Sequence, residues 1–161
     1  LSVLQHTLSE LSKTYKKIEG IVLLEPTSPF RPAGLIDICV EKFLSSETKS
    51  VATVVALERN PRYIFSTAGD QASFYIQTPK VSFHQKQEFE HLKRVNGCVY
   101  IYEADSVKNG KLIVEPIKVV EMTQEMSINI DNPLDLELAN LVFENFNVPD
   151  GPFTYITGNK I

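Results

Sequence analysis

Three short segments of the sequence carry side chains that could bind a polar ligand, and the first follows a short apolar run. Glu25 to Arg31 offers a carboxylate, the hydroxyls of Thr27 and Ser28, and the guanidinium donors of Arg31. Two prolines within it restrict its backbone. The segment predicts either a polar binding site or only a stiff strand-to-helix turn, and the residues by themselves leave both open.

The second segment is Asn96-Gly97, which leads into the apolar run Cys98 to Tyr102. Asn-Gly usually marks a tight turn, and alone it is weak evidence of function. Tyr100 lies four residues after Asn96, so alternation along a strand predicts both side chains on the same side of the pleat.

The third segment is Asn129-Ile130-Asp131, which predicts a very short strand over 128–131. Alternation places Asn129 and Asp131 on one face, where two oxygen-bearing side chains could hold a divalent cation such as Mg²⁺. The alternative is local, because Asp131 and Asn132 could simply cap the helix that Pro133 begins.

Composition and charge exclude several other classes of protein. The 161 residues carry a formal net charge of −4, and mildly acidic chains without clustered Lys and Arg do not suit general nucleic-acid binding. No apolar run approaches the ~20 residues of a membrane span. The sequence contains no Gly-rich phosphate loop and no nucleophile elbow. His6, His84 and His91 are predicted to be solvated or structural.

Cys39 and Cys98 lie in apolar surroundings without metal-ligand spacing, which predicts buried free thiols. Because free thiols suit a reducing compartment and no secretion signal opens the chain, we expect a cytoplasmic protein.

The order of predicted elements is helix, strand, helix, strand, which is typical of an α/β protein with a mostly parallel sheet. Gly20 is predicted to end the first helix. Ile21 to Leu24 and Val51 to Leu57 are predicted to be strands buried on both faces. A strand over Lys111 to Val120 is expected to be antiparallel or at the sheet edge, because Pro116 interrupts it.

The segment from about 63 to 95 fits neither a core helix nor a core strand, and we interpret it as an arm inserted in a domain of residues 1–146. The last predicted helix opens at Asn132-Pro133 and carries Leu134, Leu138, Leu141 and Val142. Residues 147–161 are predicted to form a loosely ordered tail.

The three segments together resemble one known family, the acylneuraminate cytidylyltransferases or CMP-sialic acid synthetases. Leu23 to Arg31 resembles that family's LLQPTSPLR segment. Gln87 and then Asn96 to Ile101 resemble its RRQ…NGAIYI block with the same spacing. Ser127 to Asp131, followed by Asp135 and Ala139, is similar to its S-x-DID…D…A segment.

The resemblance implies a Rossmann-like α/β fold of the nucleotide-diphospho-sugar transferase type, with the arm forming a homodimer. It also implies transfer of CMP from CTP to the anomeric hydroxyl of a nonulosonic, sialic-acid-like sugar, with Mg²⁺ and release of pyrophosphate. The implied substrate-binding residues are Glu25, Thr27, Ser28, Arg31, Lys86, Gln87, Asn96 and Tyr100. Asp131 is the implied metal carboxylate, with Asn129 beside it.

Three positions depart from the family pattern. Glu25 replaces a Gln that contacts the sugar, so an acceptor-only group stands where an amide is usual, and legionaminate-like acids become candidates. Lys86 replaces an Arg and loses the bidentate fork. Asn129 replaces one of two carboxylates of the expected metal pair, which weakens any Mg²⁺ site.

A further departure is the family's opening strand and Gly/Ser/Lys-rich phosphate loop, which this sequence lacks. We therefore expect a C-terminal fragment or a degenerate member, inactive on its own. The alternative function is a non-catalytic module, derived from the family, that binds a sugar acid or dimerises.

Overall fold

The computed structural model describes residues 1–45, 47–59, 61–76 and 92–145 of the chain. They form two compact units, one from residues up to 55 and from 95 onward, and one within 56–94. The second unit overlaps most of the predicted arm. Residues 77–91 of that arm and the predicted tail lie outside the described residues.

Four helices and six strands make up the regular structure of the described residues. The helices are α1 (Ser2–Leu11), α2 (Leu35–Leu44), α3 (Ala104–Lys108) and α4 (Pro133–Asn145). The strands are β1 (Gly20–Leu23), β2 (Ser50–Ala56), β3 (Phe65–Ala68), β4 (Gln71–Phe74), β5 (Lys93–Glu103) and β6 (Ile117–Met122). Short 3-10 turns cover Pro61–Tyr63 and Glu125–Ser127. Among these residues, no helix combines the length and apolar character that crossing a bilayer requires.

The main sheet has the strand order β1-β5-β2-β6. β1 is antiparallel to β5, and β2 is parallel to β6. The Glu103 amide donates to the Lys49 carbonyl over 2.9 Å, and the Val99 amide donates to the Thr53 hydroxyl over 2.9 Å. These contacts run in opposite order along the two chains, so β5 is also antiparallel to β2. Three of the four strands share one direction, and β5 runs against them, so the predicted α/β fold is confirmed with a mixed sheet.

The prediction that β1 is buried on both faces is wrong. β1 lies at one end of the described four-stranded sheet, and Val22 is 38% exposed. An apolar run is consistent with either position, and only the strand order distinguishes them. The strand order confirms the prediction of burial for β2, which lies between β5 and β6 and is buried along almost its whole length.

Helix α2 packs on the main sheet as its sequence pattern predicts. Leu35 and Cys39 are fully buried in the principal core, and Phe43 packs against the edge of that core. The helix begins after Gly34, whose φ of 79° lies in the left-handed region that favours glycine. The buried members of this core are Phe30, Leu35, Cys39, Val51, Cys98, Val99, Ile101, Val120, Met122, Met126, Ala139 and Val142.

Gly20 does not end the first helix, contrary to the prediction. Helix α1 ends at Leu11, and Gly20 is the first residue of β1. A β-carbon on Gly20 would lie 2.9 Å from the ring of Phe43. The glycine is therefore explained by the close approach of α2 to the strand rather than by a helix end. Helix α1 buries only Leu8, which packs in a second cluster with Tyr102 and Val107.

Helix α4 begins as predicted and contributes two buried residues to the core. Asn132 caps it, because its side-chain oxygen accepts the amides of Leu134 (2.9 Å) and Asp135 (3.1 Å). The buried residues are Ala139 and Val142, whereas Leu134 is 76% exposed. Leu138 and Leu141 are exposed as well, so Val142 alone of the four apolar residues named from the sequence is buried.

Two strand predictions near the C-terminal end need correction. β6 covers Ile117–Met122 rather than 111–120. It lies at the edge of the described sheet, which was one of the two predicted alternatives, and it is parallel to β2. Residues 128–131 form no strand, since they follow the Glu125–Ser127 turn as an irregular connection to α4. One of their main-chain groups, the Ile130 amide, bonds instead to the carbonyl of Thr27 over 2.9 Å.

The second unit contains a two-stranded antiparallel hairpin, β3 and β4. Phe65 lies opposite Phe74, and the two ring centroids are 4.8 Å apart. Ile64, Phe65 and Tyr75 remain exposed, Tyr75 at 73%. An isolated hairpin of this size is marginally stable in water, and these apolar groups add to its exposed surface.

Candidate functional site

The turn between β1 and α2 is anchored to β5 by Arg31. Its guanidinium donates to the main-chain carbonyl of Glu25 over 2.8 Å and to that of Cys98 over 3.1 Å. The side chain thus joins the first predicted segment to the second. These bonds use only part of its donor capacity, and contact between Arg31 and a substrate stays a prediction.

The same turn also contacts the third predicted segment. The Thr27 hydroxyl donates to the side-chain oxygen of Asn129 over 2.5 Å, and the Ile130 amide donates to the Thr27 carbonyl over 2.9 Å. Two segments about one hundred residues apart in sequence are therefore held together by a side-chain and a main-chain bond.

Asp131 is not the cap of α4, because other groups fill that role. Asn132 accepts the first helical amides, and the Asp135 carboxylate accepts the amides of Asp131 (2.9 Å) and Asn132 (3.1 Å). The Asp131 carboxylate instead accepts a hydrogen bond from the side-chain amide of Asn129 over 2.9 Å. The two residues of the predicted metal pair are thus side by side, with capping excluded for the Asp131 side chain.

Glu25 lies directly against Gly97. A β-carbon on Gly97 would be 2.6 Å from a Glu25 carboxylate oxygen and 3.9 Å from the side-chain oxygen of Asn129. Gly97 also has a φ of +78°, which side chains rarely adopt. Both observations explain why this position is glycine, and they show that the three predicted segments converge at its backbone.

Asn96 lies at the centre of a buried polar network. Its side chain is 5% exposed and accepts the Thr53 hydroxyl (2.6 Å) and the Cys98 amide (3.2 Å). Its amide group donates to the Ser127 hydroxyl (2.9 Å) and contacts the sulfur of Met122 (3.2 Å). The bonds join β5 to β2 and to the turn after β6. Asn96 therefore positions the strand that carries Gly97, and direct substrate contact from Asn96 stays a prediction.

Strand alternation predicted that Tyr100 and Asn96 lie on the same side of the pleat. In the structure Tyr100 packs against the second cluster, whereas Asn96 contacts Met122 of the principal core. Tyr100 packs with Leu23 beside Tyr102, and the two tyrosine rings are stacked with centroids 5.9 Å apart. The left-handed φ of Gly97 interrupts the regular pleat on which the prediction depended. Burial, reinforced by the Glu25 carboxylate, raises the pKa of Tyr100, so its hydroxyl remains a protonated donor at neutral pH.

Ser28 has the one buried side-chain polar atom that lacks a hydrogen-bond partner among the described residues. The residue is 5% exposed and lies in the turn between Glu25 and Arg31. Its hydroxyl is therefore free to receive a partner from a ligand or a water molecule. Substrate binding by Ser28 stays a prediction.

Both cysteines are free and buried, which confirms the sequence prediction. Burial raises the pKa of Cys39 to about 11 and also raises that of Cys98. Burial likewise raises the pKa of Tyr102 to about 12, with a contribution from the neighbouring Tyr100. Neither thiol is activated for nucleophilic chemistry at neutral pH.

These shifts predict a loss of stability at alkaline pH. Cys39 and Tyr102 bind protons more tightly in the folded than in the unfolded chain, so their contribution is complete below pH 9 and is lost as the pH rises towards 11–12. Urea unfolding at pH 8, 9, 10 and 11 measures the slope. Tyr102→Phe should flatten the slope above pH 10, and an unchanged slope in that variant would contradict the assignment.

Two of the predicted substrate-binding residues, Lys86 and Gln87, lie outside the described residues. Sequence reasoning missed the roles of Gly97 and Thr53. A polar Thr inside the apolar run of β2 was the available signal for Thr53, because a buried hydroxyl in a central strand needs partners.

The fold of this chain has a counterpart among solved structures. The structure is similar to the crystal structure of 4-diphosphocytidyl-2C-methyl-D-erythritol synthase from Anaerococcus prevotii DSM 20548. The TM-score is 0.57 at 14% sequence identity, over 86% of this chain and 62% of that one. At this identity the likeness establishes the fold alone.

The sequence is similar to three N-acylneuraminate cytidylyltransferases of Streptococcus agalactiae, from serotypes V, III and Ia. Each is 22% identical over 125 residues. The match covers 77% of this chain but only 30% of the length of each relative. This similarity confirms the resemblance inferred from the three segments. No protein-family model matches the chain.

Proposed function

We propose that this chain is the sugar-binding part of a cytidylyltransferase that transfers CMP from CTP to a sialic-acid-like nonulosonic sugar. The observation that carries the proposal is the convergence at Gly97. Glu25 and Asn129 both lie within 4 Å of the point where its β-carbon would stand. Each belongs to a different one of the three segments that resemble the acylneuraminate enzymes.

In the proposed reaction the anomeric hydroxyl of the sugar attacks the α-phosphorus of CTP. The new P–O bond forms as the bond to the β-phosphate oxygen breaks, pyrophosphate leaves, and the hydroxyl proton passes to solvent or a base. Such transfers depend on positioning and charge stabilisation more than on acid-base residues. Glu25, the Ser28 hydroxyl and Tyr100 supply acceptor and donor groups that orient the sugar.

Magnesium belongs to the proposal as a cofactor that neutralises phosphate charge when it is bound. Asp131 supplies one carboxylate and Asn129 a neutral oxygen that already accepts the Thr27 hydroxyl. Among the described residues, no three acidic, His or Cys side chains cluster as a metal site. This donor set fits an ion held mainly by water and substrate phosphates, so we propose that Mg²⁺ binds only with nucleotide.

Asn129→Asp should make this chain respond to Mg²⁺ in the absence of nucleotide. The change replaces the hydrogen bond from Asn129 to Asp131 by two adjacent carboxylates that repel each other. The melting temperature in EDTA should therefore fall by roughly 2–4 °C, which corresponds to a loss of about 1 kcal/mol in the free energy of unfolding. Millimolar Mg²⁺ should restore it, whereas wild type and Asp131→Asn should show no response. A loss that Mg²⁺ does not reverse in Asn129→Asp would contradict the metal role.

A homodimer through the arm is the second part of the proposal. The hairpin of the second unit exposes Ile64, Phe65 and Tyr75, which suits burial against another copy. We expect deletion of residues 63–95 to give a monomer in multi-angle light scattering. Tyr75→Ser should weaken the dimer without deletion, while the control Tyr15→Ser, an exposed tyrosine outside the arm, should not. A wild-type chain that is monomeric at micromolar concentration would refute this part.

Two measurements test the function. The 161-residue chain should bind N-acetylneuraminate at millimolar concentration, detected by saturation-transfer NMR, yet release no pyrophosphate with CTP, Mg²⁺ and the sugar. A longer product of the same gene that carries a Gly/Ser/Lys phosphate loop should release pyrophosphate. Absence of sugar binding would overturn the proposed function. Pyrophosphate release by the 161-residue chain would contradict the prediction that this chain is inactive on its own.

The second candidate is a non-catalytic module that binds a sugar acid or dimerises. Asn129 in place of a second carboxylate favours it, since the metal pair is then incomplete. A longer gene product that binds the sugar but never consumes CTP would select this alternative. In either case we propose a cytoplasmic location, which the two buried free thiols support.

A further inference from the structure

Two side-chain acceptors lie around the backbone of Gly97, and the Tyr100 hydroxyl lies beside them. The Glu25 carboxylate and the Asn129 oxygen lie around this backbone. Two of the nearby donors are engaged, because the Thr27 hydroxyl bonds to Asn129 and the side-chain amide of Asn129 bonds to Asp131. A ligand that reaches this point meets oxygens that need donors.

The Glu25 carboxylate has no cationic partner within the described residues. The ion pairs found there join Lys13 to Glu10, Lys17 to Glu19, Lys49 to Glu103 and Lys108 to Asp105. Arg31 comes from the same turn, but its guanidinium donates to main-chain carbonyls and not to this carboxylate. A half-buried carboxylate that has no counter-charge among the described residues favours a cationic group on the ligand.

We propose that Glu25 is a specificity-determining residue that selects a nonulosonic acid carrying a basic nitrogen, an amine or amidine, over one carrying an acetamido group. The inference rests on the proposed function and adds the chemistry of the sugar substituent. A charged N–H donor to a carboxylate is roughly twice as strong as a neutral pair. An acetamido group would offer the Glu25 carboxylate one neutral N–H donor, and its carbonyl oxygen would add another acceptor beside Glu25 and Asn129.

The test compares binding of two sugars to the 161-residue chain by isothermal titration calorimetry at pH 7. The probes are the methyl α-glycosides of 5-amino neuraminic acid and of N-acetylneuraminic acid, which differ only in that nitrogen substituent. Wild type should bind the amino sugar about tenfold more tightly, a difference of about 1.4 kcal/mol. Glu25→Gln, which keeps the shape and removes the charge, should abolish the preference.

Glu41→Gln is the matched control, because Glu41 is an exposed glutamate of α2 outside the site. It should keep the tenfold preference, whereas Glu25→Ala should lose it. Thermal melting verifies that each variant is folded. Equal binding of both sugars to wild type, or an unchanged preference in Glu25→Gln, overturns the specificity role while the proposed function stands. If neither sugar binds any variant, the proposed function fails as well.

Discussion

Replacing Asn96 by alanine is expected to lower the free energy of unfolding by about 3 kcal/mol. The change leaves the buried amide of Cys98 without the acceptor that now lies 3.2 Å away, and it removes the donor to Ser127. A buried donor without an acceptor costs about 1–3 kcal/mol by itself, and the vacated space adds to the loss. Urea unfolding followed by circular dichroism measures the effect.

Two comparisons separate this network from a general effect of removing an amide. Asn109→Ala removes an exposed asparagine whose amide bonds to the Asp105 carbonyl, and it should cost about 0.5 kcal/mol. Thr53→Val should cost about 2 kcal/mol, because the Val99 amide loses its hydroxyl acceptor, while Thr53→Ser keeps that acceptor and most of the stability. An Asn96→Ala variant no less stable than Asn109→Ala would show that the network is not structural.

Gly97→Ala is expected to destabilise the chain by about 2–3 kcal/mol and to displace Glu25. The left-handed backbone accounts for about 1–2 kcal/mol of this. The rest arises because the new β-carbon would lie 2.6 Å from the Glu25 carboxylate, which must move. The displacement should also weaken sugar binding, so the variant is measured by both unfolding and calorimetry.

Gly110 provides a matched control for the backbone part of this cost. It has the same φ of +78°, but nothing lies within 4 Å of its β-carbon position. Gly110→Ala should therefore show the conformational cost alone, and the double variant Glu25→Ala with Gly97→Ala should approach that smaller value. Equal costs for Gly97→Ala and Gly110→Ala would mean that Glu25 does not rest on Gly97.

The sequence by itself determined the type of fold and most of its elements. Helix α2 and strand β2 follow from local apolar patterns, and the start of α4 follows from Asn132 and Pro133. These predictions hold because periodicity and caps act over a few residues, within which the chain alone sets the geometry. The resemblance to the acylneuraminate cytidylyltransferases was equally readable from the three polar segments, and the similarity to N-acylneuraminate cytidylyltransferases confirms that resemblance.

Only the tertiary structure decided which way the polar side chains face. Asn96 faces the core because its side chain bonds there to Thr53 and Ser127. These partners lie 43 and 31 residues away in sequence, so local spacing does not reveal them. The contact between Glu25 and Gly97 likewise joins distant segments. Sequence spacing reports local geometry, whereas these contacts depend on the strand order and on one left-handed glycine that interrupts the pleat of β5. For the same reason the exposed edge of β1 and the exposed leucines of α4 could not be predicted from their apolar patterns.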